Sequence, residues 1–338
     1  MGASQSQMRK LQHGESVIVS ARFTSNGARL VSASFDGTVI MWDVQTGKRV
    51  WQVDLDEGAK TEESYTTSQI LDMDLSPDGS IVAVAYDRSR VIGDRLEGKS
   101  EHLIGLLDAR TGREQRVLTG HTAMINELAF ASNGQRLASV SSDQTVRLWN
   151  TSTGQQTLSI NLKERSGNVA LSPDGKFLAV AIEPPAYLTP PEPMIELYDA
   201  QSGKLVRGFP RRKRNVSDLA FSPDGRILAI VSGDLSGAQI DLWELTAQAP
   251  ARTLTDHEKG ITAISFSPHG GLLASGELRN GRGIVVVRDL TVKGQPQSYK
   301  VDAGVSTLSF SSGATRLAVG TDKGQINVVS LVVRSSQP

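Results

Sequence analysis

The sequence predicts an all-β protein, a seven-bladed β-propeller of four-stranded antiparallel blades. Two apolar runs joined by a tight turn occur seven times, and each pair is followed by a third apolar run and a more polar fourth. No helical pattern with capping residues interrupts this series. The repeats recur every ~40 to 55 residues, which is the period of a four-stranded propeller blade with loop insertions.

The first two strands of each unit form a predicted hairpin. In its Pro-Asp-Gly form the turn is chemically suited to a reversal, because Pro presets φ, Asp bonds its own backbone and Gly accepts a positive φ. The turn glycines are Gly27, Gly79, Gly134, Gly175, Gly225 and Gly270, with a seventh turn at Gly313.

The third strand usually ends in an aromatic and a polar or acidic residue. The best examples are TVIMWDV at Thr38, TVRLWNT at Thr145, MIELYDA at Met194 and QIDLWEL at Gln239. A Thr-Gly or Ser-Gly turn then leads to the fourth strand in several units. Four strands per unit and seven units give the predicted propeller.

At these residues the chain resembles the WD40-repeat family, over essentially its whole length, and the Ser-Pro-Asp-Gly turns resemble bacterial members. Unit three, GHTAMINELAFASNGQRLASVSSDQTVRLWN, carries the resemblance most fully. The resemblance implies a structural hydrogen-bonded network of His121, Ser139, Asp143 and Trp149. In other units it implies parts of the same network, and the matching residues are Asp36, Trp42, His257 and Trp243. His13 is one residue out of register, and Arg288 stands where unit six should have Trp.

The resemblance also predicts how the ring closes. Unit seven has three strands, and open sheet edges invite aggregation. We expect residues 7–12 to supply the outer strand of blade seven. The chain is then a single domain over residues 1–338, with disordered tails at residues 1–5 and 333–338. The seven units leave no room for an effector domain within this chain.

Long insertions are predicted in the connections of one face, the top, and such insertions usually mark a binding surface. They are residues 54–68, 88–101, 183–193, 211–215 and 277–283. Candidate partner-binding residues are Arg211, Arg212, Lys213 and Arg214 of a basic loop, Tyr187 and Leu188 of a Pro-rich loop, and Tyr65. Alternatively the charged loops are simply solvated, and Tyr187 and Leu188 fold back over blade four.

Composition excludes several functions. The 338 residues include 36 Lys and Arg, 36 Asp and Glu, and no Cys, so the chain has no disulfides, no thiolate nucleophile and no global electrostatic attraction to nucleic acid or membranes. The start lacks the apolar region of a secretory signal, and we expect a cytoplasmic protein without a membrane partner. The five histidines match no metal motif, and HExxH, P-loop, GxSxG and EF-hand patterns are absent. We expect no catalysis, cofactor or metal; a propeller hydrolase or lyase is the less favoured reading.

Two function hypotheses follow. The first is an interaction scaffold that binds a peptide or partner protein on the top face, as a monomer by itself or as a subunit of a hetero-complex. The alternative is recognition of a polyanion, either nucleic acid or a phospho-ligand, through the basic loop 211–214. Four cations support only weak, salt-dependent binding of this kind.

Overall fold

Seven four-stranded antiparallel sheets form a closed ring. The computed structural model describes residues 8–56, 64–92, 95–182, 195–210, 215–234, 237–255, 257, 260–279, 282–292 and 294–331. These residues contain 28 strands and no helix. The prediction of an all-β, seven-bladed propeller is confirmed.

The strands follow one another from the inside of each blade to the outside. Blade 1 contains β2 (Ile18–Phe23), β3 (Arg29–Ser34), β4 (Thr38–Asp43) and β5 (Arg49–Asp54), and blade 2 contains β6 (Ser64–Leu75), β7 (Ile81–Ile92), β8 (Arg95–Asp108) and β9 (Glu114–Leu118). Blade 3 contains β10 (Ile125–Phe130), β11 (Arg136–Ser141), β12 (Thr145–Asn150) and β13 (Gln156–Asn161), and blade 4 contains β14 (Ser166–Leu171), β15 (Phe177–Ile182), β16 (Ile195–Asp199) and β17 (Leu205–Phe209). Blade 5 contains β18 (Asn215–Phe221), β19 (Ile227–Asp234), β20 (Gly237–Glu244) and β21 (Arg252–Leu254), and blade 6 contains β22 (Ile261–Phe266), β23 (Leu272–Arg279), β24 (Arg282–Asp289) and β25 (Gln297–Val301). Blade 7 contains β26 (Val305–Phe310), β27 (Arg316–Thr321) and β28 (Gln325–Ser330), with β1 (Met8–Gln12) as its outer strand.

The inner hairpins have the turn chemistry that the sequence predicts. In blade 2 the amide of Gly79, with φ of 74°, donates to the Ser76 carbonyl over 2.7 Å. The Asp78 carboxylate accepts a hydrogen bond from the Ser80 amide over 3.0 Å. Such a short loop brings the two strands directly into register.

The turn of blade 7 differs from the prediction by one residue. Strand pairing fixes this turn between Ser311 and Arg316, which are joined by a 2.9 Å backbone hydrogen bond, and its fourth residue takes the left-handed conformation. That residue is Ala314, with φ of 51°, and its amide donates to the Ser311 carbonyl. Gly313 lies within this turn as predicted, but it is not the residue with positive φ, because strand register and not the position of the glycine decides which residue takes that conformation.

The core lies between the blades. Seven apolar clusters are present among the described residues, and each one joins two neighbouring blades. At the first interface, Val31 and Met41 of blade 1 pack with Met73 and Val84 of blade 2. Because each sheet is covered on both faces, its second strand is almost entirely buried, as the pattern of β3 shows.

The N-terminal strand closes the ring as predicted. Strand β1 pairs antiparallel with β28, from Met8 opposite Val329 to Gln12 opposite Gln325. Leu11 is 3% exposed and packs in the cluster between blades 7 and 1. The last blade therefore gains its fourth strand from the opposite end of the chain. The predicted tails, residues 1–5 and 333–338, lie outside the described residues.

Candidate functional site

Blade 3 assembles a buried hydrogen-bonded chain from four side chains. His121 Nδ1 lies 2.9 Å from Asp143 Oδ2, and His121 Nε2 lies 2.7 Å from Ser139 Oγ. Trp149 Nε1 donates to the same Ser139 Oγ over 2.9 Å. The three strands and connections that carry these residues are adjacent in the sheet, so the network ties the top of the blade together.

Electrostatics fixes the protonation states of this network. Burial lowers the pKa of His121, and this effect outweighs the hydrogen bond and charge of Asp143, which raise that pKa. Burial by itself would raise the pKa of Asp143, but hydrogen bonds from His121, Thr145 and the Thr122 amide outweigh it and lower that pKa. A neutral imidazole therefore donates from Nδ1 to an ionised carboxylate, and Nε2 accepts from the serine hydroxyl.

A serine, histidine and aspartate in this order are also the parts of a nucleophilic relay. Ser139 is 0% exposed, however, and its oxygen already accepts the hydrogen bond from Trp149. A hydroxyl in that position cannot reach a substrate. The network of blade 3 is structural.

Blade 1 forms the network with a reversed ring. His13 Nδ1 lies 2.8 Å from Ser32 Oγ, to which Trp42 Nε1 also donates over 2.8 Å, and His13 Nε2 lies 2.7 Å from Thr38 Oγ1. Asp36 accepts from the Thr38 hydroxyl over 2.7 Å. Burial lowers the pKa of His13 to about 4. The offset of His13 in the sequence is thus accommodated by turning the imidazole. Ser32, which corresponds to Ser139, is a network residue that the sequence pattern did not predict.

Blade 6 keeps the histidine and replaces two of its neighbours. His257 Nε2 lies 2.7 Å from Ser275 Oγ, and Nδ1 lies 3.0 Å from Glu277 Oε2. Glu277 therefore takes the role that Asp143 has in blade 3, a substitution that the sequence pattern did not predict. Arg288 is buried at the position of the missing Trp, opposite Leu273.

Trp243 of blade 5 does not belong to such a network, contrary to the prediction. Its Nε1 is buried and has no hydrogen-bond partner among the described residues, and its ring packs edge-on against Phe209 at 5.5 Å. The cause is Ile230, which occupies the place of the serine in blades 1, 3 and 6 and offers no hydroxyl. Trp243 acts here as an apolar core residue.

The insertions predicted at residues 54–68 and 88–101 were expected to be loops, but residues 64–68, 88–92 and 95–101 of them belong to strands. Strands β6, β7 and β8 are 12, 12 and 14 residues long, whereas described strands of the other blades reach 8. Pairing runs from Leu75 opposite Val82 up to Ser64 opposite Ile92, and from Ile81 opposite Asp108 to Ile92 opposite Arg95. We call residues 64–69, 87–92 and 95–102 the blade-2 extension. It carries the sheet beyond the top face by about 20 Å, at ~3.3 Å per residue.

The blade-2 extension is anchored at its base and open at its outer edge. Across β7 and β8, His102 Nδ1 lies 2.6 Å from Asp87 Oδ1, and Arg88 donates to the buried Tyr86 hydroxyl over 3.1 Å. Burial raises the pKa of Tyr86 to about 12, so it remains a neutral hydrogen-bonding group. Strand β9 pairs with β8 only from Ile104 to Leu107, and the outer edge of β8 above it has no strand partner among the described residues.

Exposed apolar side chains lie on the top face of the same blades. Val17 and Phe35 of blade 1 are 38% and 39% exposed and are joined by a 3.0 Å backbone hydrogen bond. Met124 at the top of blade 3 is 48% exposed, and Ile92 in the blade-2 extension is 39% exposed. All four residues belong to connections or strand ends on the top side of three consecutive blades.

Most of the predicted partner-binding residues fall outside the described part of the chain. These are Arg211, Arg212, Lys213, Arg214, Tyr187 and Leu188. The backbone of Tyr65 lies in β6, opposite Val91, and its side chain is outside the described residues. The insertion at 277–283 is likewise a short extension of the β23–β24 hairpin, with Arg279 opposite Arg282.

Two searches of the described residues were negative. No group of three or more His, Cys, Asp or Glu side chains is placed to hold a metal ion. No helix in that part of the chain is long and apolar enough to cross a membrane.

Comparison with known sequences agrees with the repeat pattern. The model of the WD domain, G-beta repeat, matches residues 5–43, 112–150, 203–243 and 248–285. These four segments are WD40 repeats. Each segment runs from the outer strand of one blade into the inner strands of the next, which are blades 1, 3, 5 and 6. These four blades hold either a buried histidine network or a Trp at the third-strand position. The three other blades have Leu107, Tyr198 and Val329 there, facing the equivalent second-strand residues.

Several known proteins are similar to the chain. A pre-mRNA-processing factor 19 homolog 2 of Arabidopsis thaliana is 28% identical over 50% of this chain and 31% of its own length. The WD repeat and HMG-box DNA-binding protein 1 of Mus musculus is 26% identical over 84% of this chain and 27% of its own length. The chain thus spans about a third or less of these two relatives. A guanine nucleotide-binding protein subunit beta of Arabidopsis thaliana is 25% identical over 93% of this chain and 80% of its own length.

Proposed function

We propose that this protein is a non-catalytic scaffold that binds a partner protein or peptide on the top face of blades 1 to 3. The observation that carries the proposal is the blade-2 extension, a three-stranded sheet that stands above a ring of otherwise short strands. A raised sheet presents side chains on both faces and backbone groups at its edge. Such side chains and backbone groups can bind another polypeptide.

Two further features support a polypeptide partner. The outer edge of β8 above Leu103 offers N–H and C=O groups with which an extended segment can pair, as in recognition by strand addition. The exposed side chains of Phe35, Met124 and Ile92 offer apolar anchors on the top side of the same three blades. Anchors of this kind tolerate salt, in contrast to phosphate contacts, whose affinity falls steeply between roughly 50 and 200 mM salt.

A relative supports assembly with other chains. The Arabidopsis thaliana protein that aligns over 93% of this chain is, by its name, a subunit. We propose by analogy that the present propeller also acts as a subunit of a hetero-complex.

The test is affinity capture from the native host with a top-face variant and a matched control. Phe35→Glu combined with Met124→Glu places two charges on the proposed surface. Val292→Glu places a charge at a residue that is 55% exposed on the opposite face. We expect the wild type and Val292→Glu to retain the same partner at 200 mM salt, and the top-face variant to lose at least nine-tenths of it.

Two outcomes would contradict the proposal. Equal capture by the top-face variant and the wild type would show that Phe35 and Met124 do not contribute to partner binding. A captured component that is nucleic acid, and that is released by nuclease or by raising the salt to 200 mM, would favour the polyanion alternative.

A further inference from the structure

The top edge of blade 1 presents two neighbouring apolar side chains. Phe35 begins the connection from β3 to β4, and Val17 directly precedes β2. The Phe35 amide donates to the Val17 carbonyl over 3.0 Å, so the two residues are adjacent in space. Their side chains are 39% and 38% exposed. Blade 1 therefore offers a contiguous apolar contact that includes an aromatic ring.

Two exposed acidic residues lie next to this apolar pair. Glu15 precedes Val17 by two residues, and Asp36 directly follows Phe35. The Asp36 Oδ2 atom lies 3.3 Å from the position that a Cβ would have on Gly14, so the Asp36 carboxylate is close to the segment that leads into β2. Both acids therefore border the same apolar pair.

Two more acids lie on the outer side of the same connection. Directly after β5, the Leu55 amide donates to the Gly37 carbonyl over 3.0 Å. This bond places Asp54 and Asp56, the two neighbours of Leu55, beside the connection from β3 to β4. A Cβ on Gly37 would lie 3.6 Å from Asp56 Oδ1. We call the following residues the blade-1 patch: 15–17, 35–36 and 54–56.

The blade-1 patch is negatively charged. It contains four acidic residues and neither Lys nor Arg, in a chain whose formal net charge is zero. Among the described residues, no ion pair involves Glu15, Asp36 or Asp54. On the adjacent blade, Arg88 lies opposite Glu101 in the strand pairing, so its charge is matched within blade 2. The rim of the apolar pair is therefore acidic, and a cationic group on a partner would complement it.

We propose that the blade-1 patch binds a basic segment of the partner protein, in which an apolar side chain lies between Lys or Arg residues. This deepens the proposed function and rests on it, because it gives the chemistry of the partner that the top face binds. Phe35 and Val17 would contact the apolar side chain, and the carboxylates would attract the cations beside it. Arg suits this rim, since its guanidinium can donate to both oxygens of a carboxylate. An acidic segment or a nucleic acid would be repelled at the same positions.

Isothermal titration calorimetry with three blocked hexapeptides tests both parts of this chemistry. One peptide alternates Arg and Leu, one alternates Arg and Ser, and one alternates Glu and Leu. At 50 mM salt we expect saturable 1:1 binding of the Arg-Leu peptide, and binding of the other two that is at least tenfold weaker. The affinity for the Arg-Leu peptide should fall about threefold between 50 and 200 mM salt, because salt screens the charges and leaves the apolar contact.

Two variants each remove one part of the site. Glu15→Gln combined with Asp54→Asn removes two charges, and the amide oxygen of Asn preserves the acceptor that Asp54 Oδ1 provides. Phe35→Ser removes the aromatic ring. The matched controls are Glu244→Gln and Val292→Ser, at exposed residues on the opposite face. We expect each patch variant to bind the Arg-Leu peptide at least fivefold more weakly and the controls to bind as the wild type does. The charge variant should also lose most of the salt dependence, which a merely destabilised protein would keep.

Three results would overturn the proposal. They are the absence of saturable binding of the Arg-Leu peptide up to 10 mM, equal affinity for the Arg-Leu and Glu-Leu peptides, and unchanged affinity of the charge variant. Dimerisation of the wild type in analytical ultracentrifugation, abolished in the charge variant, would also overturn it, because the basic residues 211–214 of a second copy would then be the occupant.

Affinity capture separates this proposal from the proposed function. If Phe35→Glu with Met124→Glu loses the partner while Glu15→Gln with Asp54→Asn retains it at 50 mM salt, the top face binds a partner that is not basic at this patch, and only the present proposal is wrong. If neither variant loses the partner, the proposed function is wrong as well.

Discussion

Leu11 tests how the ring is closed. Its side chain is 3% exposed and packs with Ile326, Val328 and Trp42, which belong to blades 7 and 1. Replacement by Ala leaves a cavity that this rigid interface cannot close. Substitutions of this kind cost about 2 to 5 kcal/mol, and we take ~3 kcal/mol for Leu11→Ala.

The size of the protein converts this cost into a temperature. A chain of 338 residues unfolds with an entropy of about 0.7 kcal/mol/K, from ~2.1 cal/mol/K per residue. A loss of ~3 kcal/mol therefore lowers Tm by ~4 °C. The same free energy should appear as a lower midpoint in urea with an unchanged slope.

Met8→Ala is the matched control for this measurement. Met8 lies on the same strand, pairs with Val329 and is 36% exposed, so its truncation removes little buried surface. We expect Tm to change by less than about 1 °C. Equal losses for the two variants, or no loss for Leu11→Ala by differential scanning calorimetry, would show that β1 does not hold the ring closed.

Two other predictions concern the interior. Ser139→Ala removes the acceptor of Trp149 and the hydroxyl that binds His121, so it should lower the free energy of unfolding in urea by about 2 to 3 kcal/mol. The control Ser152→Ala, at an exposed turn, should change that free energy by no more than ~0.5 kcal/mol. Equal effects of the two variants would refute the structural role of the network. The pKa of Asp72 is about 7 in the folded protein and about 3.9 in the unfolded chain, so its contribution to stability is fully present below about pH 4 and is lost as the pH rises through 7. The unfolding free energy of the wild type minus that of Asp72→Asn should therefore fall between pH 5 and pH 8, by no more than about 1.4 kcal/mol per pH unit, and a constant difference would contradict the raised pKa.

The sequence pattern predicted loops where the structure has the strands of the blade-2 extension. Residues 64–69 are polar and lack the apolar alternation by which half-buried strands are recognised, so they were assigned to an insertion. Their pairing partners, residues 87–92, are 18 to 28 positions away in the chain, and a pairing of this range leaves no local signal. A weak signal was present in the Thr66-Thr67 pair and in the dipeptide Gly93-Asp94, since Thr is common in strands and Gly-Asp is a sequence that favours turns.

The network residues divide in the same way. His121, Ser139, Asp143 and Trp149 were predicted as a group because their spacing in unit three matches a known family. Trp243 was wrongly assigned to a network, because Ile230 on the neighbouring strand offers its indole N–H no acceptor. The presence of a Trp in the sequence does not show which residue lies across the sheet from it. Glu277 was not predicted because the repeat pattern has no acidic residue at its position. Its longer side chain nevertheless reaches His257 from there.

The sequence alone determined the number of blades, the four strands in each, the turn at the base of each hairpin and the strand that closes the ring. The first three depend on local alternation of apolar residues and on turn chemistry, which each repeat carries within about 50 residues. The closing strand was predicted from the resemblance to the WD40-repeat family. Only the tertiary structure decided that Asp72, Glu127 and Asp218 line one cavity and that three strands of blade 2 rise above the top face. Both features bring together residues that are far apart in the chain. The extension forms by pairing between strands of blade 2. The cavity forms where seven inner strands converge on a common axis, so its charge and hydrogen bonding depend on several blades together.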